Sequence, residues 1–202
     1  MTVPQRLVLA SDNRGKLAEL NERLRGLPVQ AVAQSEFGIR SAAETGLTFI
    51  ENALLKARHA CQHSKLPALA DDSGLEVPAL DGRPGIYSAR FAGPDAIDAD
   101  NIRLLLEQMR HLTAAQRRAR FYCALVYLRH AQDPTPIICL GNWQGEILQE
   151  PRGAGGFGYD PVFYDPKLGK TAAELPAALK NQLSHRGQAM AKLITELAEL
   201  YQ

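Results

Sequence analysis

Acidic, basic and amide side chains cluster beside glycine at several places in this 202-residue chain. The mixture is typical of sites that hold a phosphate ester, whose negative oxygens require convergent N–H donors and cations. A metal ion commonly shares that charge, so nearby carboxylates have a chemical reason to be present. The residue types therefore point to metal-assisted chemistry on a phosphorylated substrate.

The first of these places is a polar loop near the start of the chain: Ser11, Asp12, Asn13, Arg14, Gly15 and Lys16. An apolar run precedes the loop, and Leu17, Leu20 and Leu24 follow it at helical spacing, so we expect a strand, a tight loop and a helix. That order aims backbone N–H groups at an anion. The loop lacks the full Walker pattern, so a helix cap beside a solvated lysine remains the alternative.

Two adjacent carboxylates, Asp71 and Asp72, follow the apolar residues 66–70 and lie at the expected end of a strand. Neighbouring side chains on a strand point to opposite faces, so one carboxylate could bind a hard cation while the other is held structurally. Glu44 is a third carboxylate that could complete an oxygen-rich magnesium site. The alternatives are an acidic turn at 71–74 and a surface acid at Glu44.

Two further places could recognise a flat ring and an anion. In the loop 155–161, small residues would let a ligand approach the backbone while Phe157 stacks against it. Later in the chain, Lys180 and residues 184–186 (SHR) offer cations and donors at the entry to a helix. A tight turn with Phe157 in the core and an exposed helical face are equally good interpretations of these segments alone.

The remaining pattern predicts the elements that must position these residues. Residues 7–10 read as a strand, and Thr48 and Glu51 have the spacing of a capping box at the start of a second helix. Residues 121–128 are apolar at almost every position, as in a strand buried on both faces. Residues 137–140 and 146–148 read as a hairpin around a turn at 141–145, and further helices are expected around 102–109 and 190–197. This order predicts an α/β fold with a mixed sheet.

Length, charge and composition indicate which classes of protein are unsuitable for this sequence. The length suits one domain over residues 1–202, and a net charge of +1 gives no basic surface for nucleic acid. No basic leader opens the chain, and no uncharged run has the length of a membrane helix. The three cysteines are widely spaced among apolar neighbours, which predicts reduced core residues. We expect a cytoplasmic protein that binds neither nucleic acid nor membranes.

Six segments, in their order along nearly the whole chain, resemble the Ham1-type family of inosine triphosphate pyrophosphatases. They are residues 11–16 (SxNxxK), 44–57 (ETGLTFIENALLKA), 70–75 (ADDSGL), 84–90 (PGIYSAR), 155–161 (GGFGYDP) and 180–186 (KNQLSHR). The resemblance implies an ITPase-like (Ham1/Maf-type) α/β fold with a central mixed sheet flanked by helices, two lobes with an active-site cleft between them, and a homodimer. Asp12 departs from the pattern, since relatives often carry a smaller or neutral residue there; its side chain can point away if backbone N–H groups hold the phosphate.

The resemblance also implies a reaction and its residues. ITP, dITP or XTP would be hydrolysed to the monophosphate and pyrophosphate with Mg²⁺, using Glu44 and Asp72 as metal ligands and Asp72 as the proton acceptor for the attacking water. The residues that contact the substrate would be Ser11, Asp12, Asn13, Arg14, Gly15, Lys16, Lys56, Ser73, Phe157, Gly158, Tyr159, Asp160, Lys180, His185 and Arg186.

Discrimination between purines follows from the chemistry of the 6-position. Donors from His185, Arg186 or the backbone of residues 157–160 would pair with a 6-oxo group, whereas the 6-amino group of adenine would place donor against donor. GTP shares the 6-oxo group, so its exclusion must depend on the 2-position.

Three rival hypotheses remain. A Maf-type pyrophosphatase on the same general fold lacks the 155–160 and 184–186 motifs. A phosphatase that forms an aspartyl-phosphate would need Asp-x-Asp spacing, whereas Asp71 and Asp72 are adjacent. A nucleotide sensor without turnover would have no reason to retain Lys16, Glu44 and Asp72.

Overall fold

The computed structural model describes residues 5–201, which form an α/β architecture. The strands are β1 Gln5–Leu9, β2 Val29–Ala33, β3 Ala68–Glu76, β4 Arg118–Leu128, β5 Ile137–Ile147, β6 Phe163–Asp165 and β7 Lys170–Thr171. The α-helices are α1 Arg14–Arg23, α2 Phe49–Ser64, α3 Asp98–Gln108, α4 Ala177–Leu183 and α5 His185–Leu200. Most of these elements occur where the sequence predicts them; the strands β2, β6 and β7 and the helix α4 do not have a counterpart in the prediction.

The strands form a sheet in the order β2-β1-β3-β4-β5-β6-β7. The sequence predicts that the sheet is mixed but does not predict this order. β1 pairs in parallel with β2 and with β3, whereas β6 pairs antiparallel with β5 and with β7. Parallel neighbours need crossover connections, and α1 lies in the chain between β1 and β2 while α2 precedes β3. The parallel half of the sheet therefore requires the two helices that carry Lys16 and Lys56.

The chain divides into two compact units. The first takes its described residues from Met1–Asp72, Ala124–Leu140 and Ala189–Gln202, and the second comprises Ser73–Cys123 and Gly141–Gln188. β3, β4 and β5 each contribute residues to both units.

In the first unit, side-chain caps fix where α1 and α2 begin. Asn13 Oδ1 accepts the N–H of Lys16 at 3.0 Å at the start of α1. The predicted capping box of α2 is confirmed: Thr48 Oγ1 accepts the N–H of Glu51 at 3.2 Å, and the Glu51 carboxylate accepts the N–H of Thr48 at 2.8 Å. Each such cap contributes about 1 kcal/mol to helix stability. Because both helices start at fixed residues, Lys16 and Lys56 lie at fixed heights along them.

The core of the second unit is aromatic. The ring of Phe163 lies 4.4 Å from that of Phe121 and 5.1 Å from that of Trp143, centroid to centroid. Trp143, the chain's single tryptophan, is 5% exposed, and its Nε1 donates to Asp165 Oδ2 at 2.8 Å. A buried indole N–H needs such a partner, so this hydrogen bond fixes the tryptophan in one orientation.

The hairpin expected at 137–148 is wrong, because β5 is one continuous strand. Alternate residues from Cys139 to Ile147 are buried, which is the period of a strand with one packed face. Gly145 is inside the strand because a Cβ there would lie 2.6 Å from Phe163 Cζ and 2.6 Å from the carbonyl oxygen of Tyr164. Close packing, and not a turn, explains the glycine at this position.

All three cysteines are buried free thiols, as predicted. Burial raises the pKa of Cys61 and of Cys139 to about 11, so both remain protonated at neutral pH. Among residues 5–201, no helix is long and apolar enough to cross a bilayer.

The strand assignment of 141–145 has a testable consequence. We expect Gly145→Ala to lower the free energy of unfolding by about 1–3 kcal/mol, because the added methyl group must displace the Phe163 ring or the backbone beside it. Gln144→Ala, at an exposed position of the same strand, should change it by less than about 0.5 kcal/mol. Urea unfolding of both variants measures the difference, and equal effects would contradict the packing described here.

Candidate active site

The two adjacent carboxylates of β3 have lysine partners from different helices. Lys16 Nζ of α1 donates to Asp71 Oδ1 at 2.7 Å, and Lys56 Nζ of α2 donates to Asp72 Oδ1 at 2.7 Å. Both aspartate side chains are largely buried. Successive side chains on a strand point in opposite directions, so a single lysine cannot serve both.

The position of this pair differs from the prediction, which placed it at the end of a strand. β1 last pairs with β3 at Leu9 and Leu69, whereas β3 itself continues to Glu76. Asp71 and Asp72 therefore lie inside β3, just beyond the carboxyl end of β1. The acidic-turn interpretation fails because the segment is buried strand and not exposed loop.

Glu44 reaches Lys56 from the loop that precedes α2. Lys56 Nζ donates to Glu44 Oε1 at 3.1 Å, so one ammonium joins two carboxylates. Asn52 is fully buried and its Oδ1 accepts the N–H of Gly46 at 2.8 Å. A Cβ on Gly46 would lie 2.6 Å from that of Glu51, so glycine allows the loop to approach the helix this closely.

Burial and charge set the protonation of the Lys56–Asp72 pair. Burial raises the pKa of Asp72 above its ordinary value, Lys56 opposes this shift, and the neighbouring charges of Glu44 and Asp71 add to it. Burial acts to lower the pKa of Lys56, but the attraction of Asp72 and Glu44 outweighs it and the pKa is raised. A carboxylate with a raised pKa is a better proton acceptor than an exposed one.

One oxygen of this cluster lacks a protein partner. Asp72 Oδ2 is buried and has no hydrogen-bond partner, although its other oxygen binds Lys56. Within the described part of the chain, no group of three or more His, Cys, Asp or Glu side chains is arranged to hold a metal ion.

The loop before α1 holds its side chains against its own backbone and a neighbouring segment. Ser11 Oγ accepts the N–H of Asn13 at 3.2 Å, and Arg14 and Gly15 form the exposed first turn of α1. Gln34 Nε2, which is buried, donates to Asp12 Oδ2 at 3.0 Å. The acid that departs from the family pattern thus has its own donor, and its carboxylate faces Gln34.

In the second unit, two cations lie near one exposed aromatic ring. Phe157 is 61% exposed, and Lys180 Nζ lies 4.7 Å and Arg186 Cζ 5.9 Å from its ring centroid. Lys180 also forms an ion pair with Asp160, which is buried. The interpretation of Phe157 as a core residue in a tight turn is therefore wrong: the ring presents a face to solvent.

Carboxylates already occupy backbone donors of this loop. The N–H of Phe157 donates to Asp160 Oδ2 at 2.7 Å, and the N–H of Gly158 donates to Asp98 Oδ2 at 2.6 Å. The phenol of Tyr159 is buried and donates to the carbonyl of Ser88 at 2.9 Å, and burial raises its pKa. Of the donors that the sequence offers for a 6-oxo group, these backbone groups have partners within the protein.

His185 and Arg186 begin α5 and face the same unit. The imidazole of His185 stacks on Phe121, with centroids 4.8 Å apart and planes 16° apart. Arg186 Nη2 donates to Ser73 Oγ at 3.1 Å, across 113 residues of sequence. The alternative of an exposed helical face is wrong for His185, which is 9% exposed.

The structure thus brings the predicted residues together in two groups, one in each unit. The first unit holds Ser11, Asp12, Asn13, Arg14, Gly15, Lys16, Glu44, Lys56, Asp71 and Asp72. The second holds Ser73, Phe157, Gly158, Tyr159, Asp160, Lys180, His185 and Arg186.

Sequence reasoning missed four residues that support these groups: Gln34, Asn52, Ser88 and Asp98. Asn52 and Ser88 lie inside the family segments, so their neighbours gave a signal that a polar residue there has a role. Asp98 is an acid in the first turn of α3, which suits the helix dipole, but nothing in the sequence connects it with Gly158, 60 residues away.

Comparison with known proteins assigns the chain to a family. The Ham1 family profile matches residues 7–196. Curated relatives include a dITP/XTP pyrophosphatase from Halorhodospira halophila, 58% identical over 193 residues that cover 96% of this chain and 97% of the relative. Another, a dITP/XTP pyrophosphatase from Escherichia coli, is 57% identical and covers 96% of this chain and 98% of the relative. A solved HAM1 protein from Coxiella burnetii is 50% identical, with a TM-score of 0.94 and coverage of 96% of this chain and 99% of that one. This chain is a member of the Ham1 family.

Proposed function

We propose that this protein hydrolyses non-standard purine nucleoside triphosphates (ITP, dITP and XTP) to the monophosphate and pyrophosphate, with Mg²⁺ as cofactor. Relatives over 96% of the chain are dITP/XTP pyrophosphatases. The observation that carries the proposal within this structure is the cluster of Lys56, Glu44 and Asp72, in which a carboxylate of raised pKa lies beside cations. The reaction removes such nucleotides from the pool that supplies DNA and RNA.

The first unit suits the triphosphate. The start of α1 offers backbone N–H groups beside Asn13 and Gly15, and Lys16 and Lys56 supply positive charge. Asp12 is held by Gln34, so its charge is partly offset by a donor and is not aimed at an anion in the loop.

Glu44 and Asp72 would hold the magnesium ion. The unpartnered, buried Asp72 Oδ2 fits this role, since a buried carboxylate oxygen otherwise retains an uncompensated desolvation cost. Two protein carboxylates are enough, because Mg²⁺ usually keeps several waters and substrate oxygens in its shell. When bound, the ion would offset charge on the phosphate oxygens and lower the pKa of a bound water.

Asp72 is the residue we assign to proton transfer. Its raised pKa makes it a better acceptor for the proton of the water that attacks the α-phosphorus, and Lys56 holds its Oδ1 by a hydrogen bond. Attack at that phosphorus expels pyrophosphate in one step, without a covalent intermediate on the protein.

The second unit suits the purine base. The exposed face of Phe157 can stack on a base, while Arg186 and Lys180 lie close enough to donate to its edge. We assign recognition of the 6-oxo group to side-chain donors, Arg186 foremost, because a guanidinium has five N–H donors and can serve Ser73 and a base together, whereas the single N–H groups of Phe157 and Gly158 each bind a carboxylate. The protein further acts, we propose, as a homodimer in the cytoplasm.

The product analysis tests the reaction directly. Incubation of the protein with ITP and Mg²⁺ should give IMP and pyrophosphate, with ITP, dITP and XTP used far better than ATP or GTP. In H₂¹⁸O the label should enter IMP, because water attacks the α-phosphorus. Orthophosphate as the first product, or label in pyrophosphate, would contradict the proposal.

Replacement of the proton acceptor should separate catalysis from stability. We expect Asp72→Asn to lower kcat for ITP by at least about a hundredfold, the scale of a lost general base. Because the pKa of Asp72 is raised in the folded protein, its stabilising contribution is present at low pH and is lost as the pH rises through that pKa. The neutral amide should therefore leave the Tm at pH 7.5 unchanged or higher. Asp71→Asn, one residue away on the same strand, is the control and should lower kcat much less; equal losses would remove the special role of Asp72.

Loss of the stacking ring should weaken substrate binding without affecting the fold. We expect Phe157→Ala to raise the KM for ITP by about tenfold, as for other aromatic–base stacks. The free energy of unfolding should change by less than about 0.5 kcal/mol, since the ring is mostly exposed. Ile138→Ala, at another exposed apolar residue, is the control and should leave KM unchanged. An unchanged KM in Phe157→Ala would show that the base binds elsewhere.

A further inference from the structure

Lys56 occupies the position between two carboxylates where a cation would be held. Its Nζ lies 2.7 Å from Asp72 Oδ1 and 3.1 Å from Glu44 Oε1. Its side chain is 13% exposed, and those of Asp72 and Glu44 are 11% and 28% exposed. The ammonium therefore neutralises, inside the protein, the same pair of carboxylates that we assign to the metal.

We propose that Lys56 is an internal counterion that competes with the divalent cation for Asp72 and Glu44. The proposal rests on the proposed function only in its choice of metal ligands. Mg²⁺ contacts carboxylate oxygens at about 2 Å and withdraws the electron density that the ammonium uses for its hydrogen bonds. A divalent ion and an ammonium at one partly buried pair of carboxylates also repel each other strongly. Asp72 Oδ2 is open to the metal, and the repulsion between the two cations would then make the lysine give up at least one of its two hydrogen bonds, to Asp72 Oδ1 or to Glu44 Oε1.

The competition gives Lys56 two alternative partners. Without metal, it prevents Glu44 and Asp72 from repelling each other in a poorly hydrated place. With metal and nucleotide, the freed ammonium has a second anion available in the phosphate oxygens. Metal and nucleotide should consequently favour each other's binding. The metal displaces the ammonium, which the phosphate oxygens can then bind, and the nucleotide draws the ammonium away from the carboxylates that the metal requires.

Lys16 offers a matched comparison, since it carries the same charge on the neighbouring helix and binds the adjacent residue of β3. Its Nζ donates to Asp71 Oδ1 at 2.7 Å, and its side chain is 27% exposed. Removal of Lys16 changes the local charge as much as removal of Lys56, but it leaves the counterion of Asp72 and Glu44 in place. A difference between the two variants therefore reports competition and not the general electrostatic field.

The experiment is a titration with Mn²⁺, which prefers the same oxygen ligands, in the absence of nucleotide. Free Mn²⁺ is measured by electron paramagnetic resonance for the wild type, Lys56→Met and Lys16→Met. We expect Lys56→Met to bind Mn²⁺ at least about tenfold more tightly than the wild type, and Lys16→Met to differ by no more than about twofold. In EDTA, Lys56→Met should have a lower Tm than the wild type, and saturating Mn²⁺ should remove most of that difference.

An NMR measurement on the wild type keeps the test valid if Lys56→Met does not fold. The Nζ resonance of Lys56, assigned by its absence from Lys56→Arg, should shift on saturation with Mg²⁺, while the Lys16 resonance stays in place. An unchanged Lys56 resonance, equal gains in affinity for both methionine variants, or no gain for Lys56→Met would each overturn the competition. The product assay with ITP is independent: absence of pyrophosphate would overturn the proposed function and leave the Mn²⁺ result standing.

Discussion

The structure of the first unit depends on the burial of two adjacent carboxylates in the interior of one strand. An ionised carboxylate removed from water without a partner costs several kcal/mol, so the fold must supply a cation for each. Strand geometry sends Asp71 and Asp72 in opposite directions, and the cations therefore come from two helices. The parallel pairing of β1 with β2 and β3 already requires helical crossovers, so one topological constraint also meets the electrostatic one.

Local chemistry explains which parts of this arrangement could be predicted. The capping box at Thr48 and the carboxamide cap at Asn13 involve residues within one turn, so their spacing in the sequence is also their spacing in space. The ends of the strands were harder to predict, because elements that are distant in the sequence decide which residues are buried as strand. Gly145 and residues 71–74 have turn-like composition, yet the Phe163 ring covers the first and the lysines of two helices satisfy the second. The chemical roles came from the ordered family segments, because each local pattern alone suited a structural role equally well.

The residues of the second unit that we assign to the purine base show a different limit of prediction from sequence. The sequence of the glycine-rich loop predicts backbone donors for a ligand, whereas in the structure Asp160 and Asp98 bind two of these donors, and Asp98 lies on a helix 60 residues before Gly158. Carboxylates that bind loop N–H groups stiffen the loop and leave the Phe157 ring in a fixed place. If a base stacks on Phe157 as we propose, a ring held in this way loses little entropy on binding, which favours selectivity that depends on the edge of the base. The hydrogen bond from Arg186 to Ser73 similarly orients the guanidinium, and no local sequence pattern could predict that contact.

The single tryptophan has a practical consequence. Trp143 belongs to the second unit, is buried, and donates to Asp165, so its fluorescence reports the packing of that unit alone. Far-ultraviolet circular dichroism, by contrast, reports helices of both units. Coincidence of the two optical signals is the standard criterion for a single cooperative transition of both units. The wild-type chain thus contains its own probe of whether the two units unfold together.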